Sequence, residues 1–286
     1  MTRIVLHPAF PRTATTWLQS NLQFSDEVNY LGILNPKSAY PMRWQFPVLG
    51  QAMDALRGHE ANFEPIELDR AVADYVENLP QEKQKNCLVL SDERISKPWR
   101  SGDPKWREAL VTRAYEYFPE AEILFTTRTQ SGITSSLYRG YWYGGGRQTL
   151  AEWLEAGGGS TDVSFWQRWD FFSLYEAFNE KFAGRITVLP YEQLKADPSG
   201  FCSEISRLTG LHHFTNPHDK AINQANRSVL GQKKAGLLKR FFSNPAPEQA
   251  HPLLDQQTME YIQGRFTEGN AKLSRACGID LSVYHY

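Results

Sequence analysis

The sequence predicts an α/β fold in which a central parallel β-sheet is flanked by helices. The main observation is a set of four short apolar runs bounded by polar residues: Ile4–Leu6, Cys87–Leu90, Ile123–Thr126 and Ile186–Leu189. Continuous apolar runs of this kind are typical of strands that are buried on both faces of a sheet. Longer stretches with helical spacing lie between them, among them Thr15–Leu22 and Trp166–Phe182. This alternation predicts βαβ units and therefore parallel strands.

Length and composition fit a single globular unit. The chain has 286 residues, of which 41% are hydrophobic and 22% are charged, so it can bury a sizeable core. No internal repeat divides the sequence. We expect one domain over residues 1–286, with a helical region from about residue 216 onward packed on it.

Net charge and cysteine content indicate which binding partners and which cellular compartment to expect. The net charge is −1, which provides no overall field to attract nucleic acid or an anionic membrane. No apolar run is long enough to span a bilayer, and no signal-peptide region is present. The three cysteines, Cys87, Cys202 and Cys277, are widely spaced and fit neither a disulfide framework nor a metal site. We therefore expect a cytoplasmic protein with no nucleic-acid partner and no membrane span.

Two glycine clusters, at residues 144–146 and 157–159, interrupt the middle of the chain. The segment between them predicts a short helix, and the glycines themselves predict loops or hinges. Two interpretations stay open for this region, a flexible surface excursion and a lid or flap over an acceptor. The aromatic segment Tyr138–Tyr143 just before it could line an acceptor pocket or belong to the core.

The strongest functional signal lies at the start of the chain. A predicted strand, Arg3–Leu6, leads into a turn marked by Pro8 and Pro11, and a run of small hydroxyl-bearing residues then opens a helix. The N–H groups and the dipole at a helix N-terminus favour an anion there, and Arg12 adds a fixed positive charge. The G-x-x-x-x-G-K-[ST] pattern of nucleoside-triphosphate loops is absent.

This loop resembles the 5′-phosphosulfate loop of the sulfotransferase family, commonly written Pro-Lys-Ser/Thr-Gly-Ser/Thr-Thr-x-Leu. Here the loop reads Pro11-Arg12-Thr13-Ala14-Thr15-Thr16-Trp17-Leu18. The resemblance implies a P-loop-like sulfotransferase fold and a sulfuryl donor, 3′-phosphoadenosine 5′-phosphosulfate (PAPS), held by residues 12–17. Arg12 replaces the usual Lys and Ala14 the usual Gly. Ala14 suggests that this position does not strictly require a positive φ.

Two further segments carry the resemblance. After the third predicted strand, Arg128 and Ser136 stand where the family binds the 3′-phosphate of the nucleotide, and an arginine fork with a hydroxyl suits that anion. Later, Tyr191-Glu192-Gln193-Leu194 resembles the family's Tyr-Glu-Asp-Leu, which implies that Tyr191 approaches the adenosine. A basic segment with Arg227, Ser228, Lys233 and Lys234 offers candidates for a last nucleotide contact.

The catalytic groups are expected at the carboxyl ends of strands, where functional side chains of α/β sheets gather. Arg12 is placed to meet the charge that grows on the leaving phosphate. Glu93, in the segment after Cys87–Leu90, is the first candidate for the general base that activates an acceptor hydroxyl. His7, at the end of the first strand, is the second. The histidines and carboxylates show no metal-ligand spacing, so no metal is expected.

Together these features predict transfer of a sulfuryl group to an acceptor, most readily a hydroxyl of a carbohydrate, lipid or small molecule. Two alternatives stay open. One is a P-loop-type kinase that uses a nucleoside triphosphate and magnesium. The other is a non-catalytic nucleotide-binding protein with the same fold.

Overall fold

A computed structural model describes residues 3–23, 29–32, 47–56, 65–78, 87–93, 95–96, 104–158, 165–211 and 254–286. Its centre is a sheet of five parallel strands: β1 (Arg3–His7), β2 (Asn29–Gly32), β3 (Cys87–Ser91), β4 (Glu122–Thr127) and β5 (Ile186–Pro190). The strand order is β2-β3-β1-β4-β5, so β1 lies in the middle, between β3 and β4. The predicted parallel sheet is confirmed.

The helices surround this sheet. They are α1 (Thr15–Gln23), α2 (Pro47–Leu56), α3 (Pro65–Glu77), α4 (Pro104–Tyr117), α5 (Gln130–Tyr143), α6 (Leu150–Glu155), α7 (Phe165–Arg168), α8 (Phe171–Phe182), α9 (Tyr191–Ala196), α10 (Pro198–Thr209) and α11 (Gln256–Cys277), followed by a 3₁₀ turn over Leu281–Tyr284. The stretch predicted as one helix over residues 166–182 is divided into α7 and α8. Asp170 begins α8 as its N-cap, because its carboxylate accepts a hydrogen bond from the Ser173 N–H at 3.2 Å.

Alternate residues of each strand face opposite sides of the sheet, and both sides are covered. Leu6, Leu88 and Phe125 face the larger core, with residues of α2, α4, α8 and α11. Val5 and Val89 face a smaller core built with α1 and α10. Burial on both faces explains why the strands read as continuous apolar runs in the sequence.

The carboxyl ends of the strands meet at one edge of the sheet. His7 at the end of β1 is in register with Ser91 at the end of β3, and Thr127 ends β4 beside Pro190 of β5. The loops that follow β1, β3, β4 and β5 therefore open on the same side. This is the edge at which open α/β sheets bind their ligands.

Candidate active site

The loop between β1 and α1 has an unusual backbone. Arg12 and Ala14 both adopt a left-handed conformation, with φ of 71° and 66°. The expectation that Ala14 does not need a positive φ was therefore wrong. An L-residue in this conformation costs roughly 1–2 kcal/mol because its Cβ crowds the following carbonyl oxygen, whereas glycine adopts it freely. The glycine usual at this position of the family has a physical reason that also applies to this chain.

Helix α1 offers its N-terminus to the loop. The first helical hydrogen bond runs from the Leu18 N–H to the Ala14 carbonyl at 3.0 Å, so the N–H groups of Thr15 and Thr16 precede the helical ladder. Together with the helix dipole, such groups favour an anion. The Trp17 ring packs edge-to-face against Phe201, with ring centroids 5.8 Å apart, and the residue is half-buried.

Two of the threonine hydroxyls predicted as ligand donors are already engaged. The hydroxyl of Thr13, a fully buried residue, donates to the Phe10 carbonyl at 2.8 Å. The Thr15 hydroxyl donates to Oε1 of Glu93 at 2.6 Å. Buried hydroxyls find partners within the protein because an unpaired one is costly. Among the side chains of this threonine run, only Thr16 is half-buried rather than buried.

His7 lies inside a chain of directed hydrogen bonds. Because Thr13 uses its only hydroxyl proton on Phe10, the Thr126 hydroxyl must donate to Thr13 (2.8 Å) and accept from Nε2 of His7 (3.1 Å). His7 is then neutral with its proton on Nε2, and its Nδ1 accepts from the Ser91 hydroxyl at 2.8 Å. The Ser91 oxygen in turn accepts from the Gln19 side-chain amide at 3.0 Å.

These bonds give His7 a different role from the one considered in the sequence. His7 is fully buried, and burial lowers its pKa to about 3. Both ring nitrogens are occupied, so neither can take a proton from an acceptor hydroxyl. Instead, His7 links the end of β1 to Ser91 of β3 and to Thr126 of β4. Thr126 in turn contacts Thr13 of the loop.

Glu93 contacts the first turn of α1. It follows β3 by two residues and is half-buried. Its bond from Thr15 holds one carboxylate oxygen against the first turn of α1. The structure therefore brings Glu93 together with the start of α1, and its role as the general base stays a prediction.

One face of α5 runs along both predicted phosphate contacts. A Cβ placed on Gly132 would lie 2.9 Å from Nε of Arg128, and one placed on Gly140 would lie 3.3 Å from Nη2 of Arg12. The two arginine side chains thus cross the same helix face about two turns apart, or roughly 12 Å. Ser136 lies between these crossing points, four residues from each glycine, and its side chain is half-buried.

Arg128 connects the two regions directly. Its Nη1 donates to the Arg12 carbonyl at 3.1 Å, and its guanidinium lies 4.6 Å from the centre of the Tyr191 ring. The ammonium of Lys195 lies 4.7 Å from the same ring centre. Burial lowers the pKa of Arg128, while the charge of nearby Glu192 acts in the opposite direction. Sequence reasoning assigned no role to Glu192, and it did not single out Tyr286, which also lies beside Arg128.

Comparison with known proteins assigns the chain to a family. A model of the sulfotransferase family matches residues 9–216, which include the loop, α5 and Tyr191. The chain belongs to the sulfotransferase family. Membership implies an enzyme of sulfuryl transfer, and it decides against the kinase alternative. A search of curated protein sequences finds no match to this sulfotransferase.

Three solved structures are similar to this chain to different degrees. A sulfotransferase from Alicyclobacillus acidocaldarius is similar with a TM-score of 0.59 at 12% identity, over 100% of this chain and 99% of that one. A mouse sulfotransferase complexed with adenosine 3′,5′-bisphosphate (PAP) has a TM-score of 0.43 at 14% identity, covering 95% of this chain and 88% of that one. The sulfotransferase domain of a Synechococcus olefin synthase has a TM-score of 0.38 at 15% identity, covering 93% and 94%. The first of these supports the P-loop-like sulfotransferase fold.

The first glycine cluster of this sulfotransferase is a packed turn. Gly146 lies against the Tyr141 ring so closely that a Cβ there would be 2.2 Å from it. The N–H groups of Arg147 and Gln148 both donate to the Tyr141 hydroxyl at 3.0 Å. In the second cluster, Arg168 donates to the carbonyls of residues 157 and 158, and residue 159 lies outside the described residues. Gly144 and Gly145 are exposed, so the first cluster is a surface turn with defined contacts, and both interpretations of this region stay hypotheses.

The aromatic segment of α5 divides between core and surface. Tyr138 is buried and packs on Tyr141, Trp142 and Trp153. Tyr143, in contrast, is 68% exposed. Tyr141 and Trp142 are half-buried and pack against the same core, so the segment belongs partly to the core, and its role in an acceptor pocket stays a hypothesis.

Some expectations fall on other parts of the chain. The basic candidates Arg227, Ser228, Lys233 and Lys234 lie outside the described residues. Across the described ranges, no helix is long and apolar enough to cross a membrane. Within the same ranges, no three His, Cys, Asp or Glu side chains gather in a group that could hold a metal ion.

Proposed function

We propose that this enzyme transfers the sulfuryl group of PAPS to a hydroxyl group of a carbohydrate, lipid or small-molecule acceptor. The observation that carries the proposal is the pair of arginines along α5. Arg12 and Arg128 cross one helix face at two separate points, with Ser136 between them. Two cationic points suit a donor with two separate phosphates, because arginine forks pair with phosphate oxygens.

Each end of the donor has its own contacts in this proposal. Arg12 and the N–H groups of residues 13–17 hold the 5′-phosphosulfate at the start of α1. Arg128 and Ser136 hold the 3′-phosphate. The Tyr191 ring, which already lies against the Arg128 guanidinium, offers a flat surface to the adenosine.

Chemistry then needs a base and a stabilised leaving group. Glu93 takes the proton from the acceptor hydroxyl, whose oxygen attacks the sulfur as the bond from sulfur to the bridging phosphate oxygen breaks. The products are a sulfate ester, adenosine 3′,5′-bisphosphate (PAP) and protonated Glu93. The charge that grows on the 5′-phosphate is met by Arg12 and by the N-terminus of α1. These groups of the protein supply the positive potential for the step.

Donor binding is tested with two nucleotides that differ only in the 3′-phosphate, PAP and adenosine 5′-monophosphate. PAP should bind more tightly and raise the melting temperature more. Arg128→Ala should lower the affinity for PAP by about 30–150-fold, because a charge-assisted contact is worth about 2–3 kcal/mol. The affinity for adenosine 5′-monophosphate should stay almost unchanged. Arg275→Ala, on the exposed face of α11, is the matched control. Equal affinity for both nucleotides would contradict the donor assignment.

The role of Glu93 is tested with sulfur-labelled PAPS and a panel of phenols, sugars and lipid alcohols. Glu93→Gln should lower turnover by about 10²–10⁴-fold, since it removes the basic oxygen, while the affinity for PAP stays close to that of the parent protein. Glu116→Gln, exposed on α4, controls for the loss of a carboxylate. Near-normal turnover in Glu93→Gln would remove Glu93 from the mechanism.

A further inference from the structure

The carboxylate of Glu192 holds a fixed place beside the predicted 3′-phosphate site. Glu192 lies in the first turn of α9, directly after β5. Its Oε1 accepts hydrogen bonds from both the N–H and the hydroxyl of Thr129, each at 3.2 Å. Thr129 is the N-cap of α5, and its hydroxyl oxygen also accepts from the Gly132 N–H at 3.2 Å. Glu192 therefore fixes the start of the helix that carries Ser136.

The other oxygen of this carboxylate is held by Tyr286. The Tyr286 hydroxyl donates to Oε2 of Glu192 at 3.1 Å. Because its one proton goes to the carboxylate, the phenol oxygen must accept from the Thr127 hydroxyl at 2.9 Å. Burial raises the pKa of Tyr286 well above its usual value, so this hydroxyl keeps its proton and remains a donor.

A carboxylate close to a phosphate site has two opposite effects. Its charge favours the charged form of Arg128 and so opposes the lowering of its pKa by burial, but it would also repel a bound 3′-phosphate. The three hydrogen bonds to Glu192 reduce this second effect, because they spread and stabilise its negative charge. The two hydrogen bonds from Thr129 and the one from Tyr286 together hold the Glu192 carboxylate beside the end of β4.

We propose that Tyr286 is a positioning residue for the donor, which acts through Glu192 to hold Arg128 and the start of α5 in the arrangement that selects a 3′-phosphate. The inference rests on the proposed use of PAPS. Tyr286 lies 94 residues from Glu192 in the sequence. It therefore belongs to a segment that contains none of the motifs typical of the family.

The test is Tyr286→Phe, which removes one oxygen and keeps the ring. Calorimetry should show an affinity for PAP about tenfold lower, the effect of one hydrogen bond to a charged group, and an affinity for adenosine 5′-monophosphate within about twofold of the parent. A merely structural role would weaken both nucleotides alike. Tyr261→Phe, at a tyrosine that is 56% exposed on α11, is the matched control.

Two further variants decide between the possible outcomes. If Tyr286 acts through Glu192, adding Tyr286→Phe to Glu192→Gln should cause no further loss of PAP affinity, since the two effects are not independent. Full additivity would overturn the route through Glu192. If Arg128→Ala loses the preference for PAP over adenosine 5′-monophosphate while Tyr286→Phe keeps that preference, the role of Tyr286 is refuted and the donor assignment stands. If both variants keep the preference, the donor assignment itself fails.

Discussion

The left-handed conformation of Ala14 leads to a quantitative prediction. Replacing Ala14 by glycine should relieve roughly 1–2 kcal/mol of steric strain. It should also cost about 0.4–1 kcal/mol, because glycine gives the unfolded chain more conformations. The net expected gain is about 1 kcal/mol in the free energy of unfolding, which corresponds to roughly 2 °C in Tm for a chain of this size.

The assay is urea unfolding followed by circular dichroism, with a Tm from calorimetry. Ala271→Gly is the matched control, because Ala271 is likewise half-buried but lies inside α11. There the same substitution should destabilise the protein by about 0.5–1 kcal/mol. Opposite signs for the two variants support the strained loop. If Ala14→Gly lowers stability as much as Ala271→Gly does, the reasoning about the loop backbone is refuted.

The site can be tested in three further ways. The free energy of unfolding should fall by up to about 1.4 kcal/mol per pH unit as the pH drops from 6.5 toward 3, because His7 is protonated in that range only in the unfolded chain. His7→Gln should lack this component. Equal pH dependence of stability in the variant and the parent would contradict the prediction. A chelator should leave sulfuryl transfer intact, whereas a loss of activity that magnesium restores would contradict the proposed mechanism. Gly132→Ala should weaken PAP binding about tenfold, because its Cβ would come within 2.7 Å of Oγ1 of Thr129 and within 2.9 Å of Nε of Arg128. Gly264→Ala, where a Cβ meets open space, should leave PAP binding unchanged.

The predicted strands were found because they are buried on both faces, which leaves a strong apolar signal. The strand β2 was missed for the opposite reason. Its four residues, Asn29–Gly32, include a polar residue and a glycine, and it lies at the edge of the sheet beside β3 alone. The break between α7 and α8 was also missed, although Asp170 is a residue type that favours helix N-caps.

The parts of the site that follow from a local motif could be predicted, since the loop and Arg128 are recognised from their neighbours in the sequence. The function of His7 could not, because it depends on Ser91 and Thr126, which lie 84 and 119 residues away. A histidine at a strand end looks like an accessible base until its partners are known. Tyr286 is the extreme case, because its position beside Thr127 results from tertiary packing and not from any pattern around it.

The central position of β1 has a consequence for the order in which the protein forms. Its neighbours in the sheet are β3 and β4, so the strand that is synthesised first pairs only with segments that are made much later. At ~5–20 residues per second, the ribosome needs roughly 6–24 s to add the about 120 residues between the end of β1 and the end of β4. The nascent chain exposes the apolar strand β1 until β3 is made, and its loop lacks the contact of Thr13 with Thr126 until β4 is made, as is common for folds with long-range parallel pairing. A nascent chain stalled before β4 should therefore fail to bind PAP, and cellular production of the enzyme should depend on chaperones that shield its first segment.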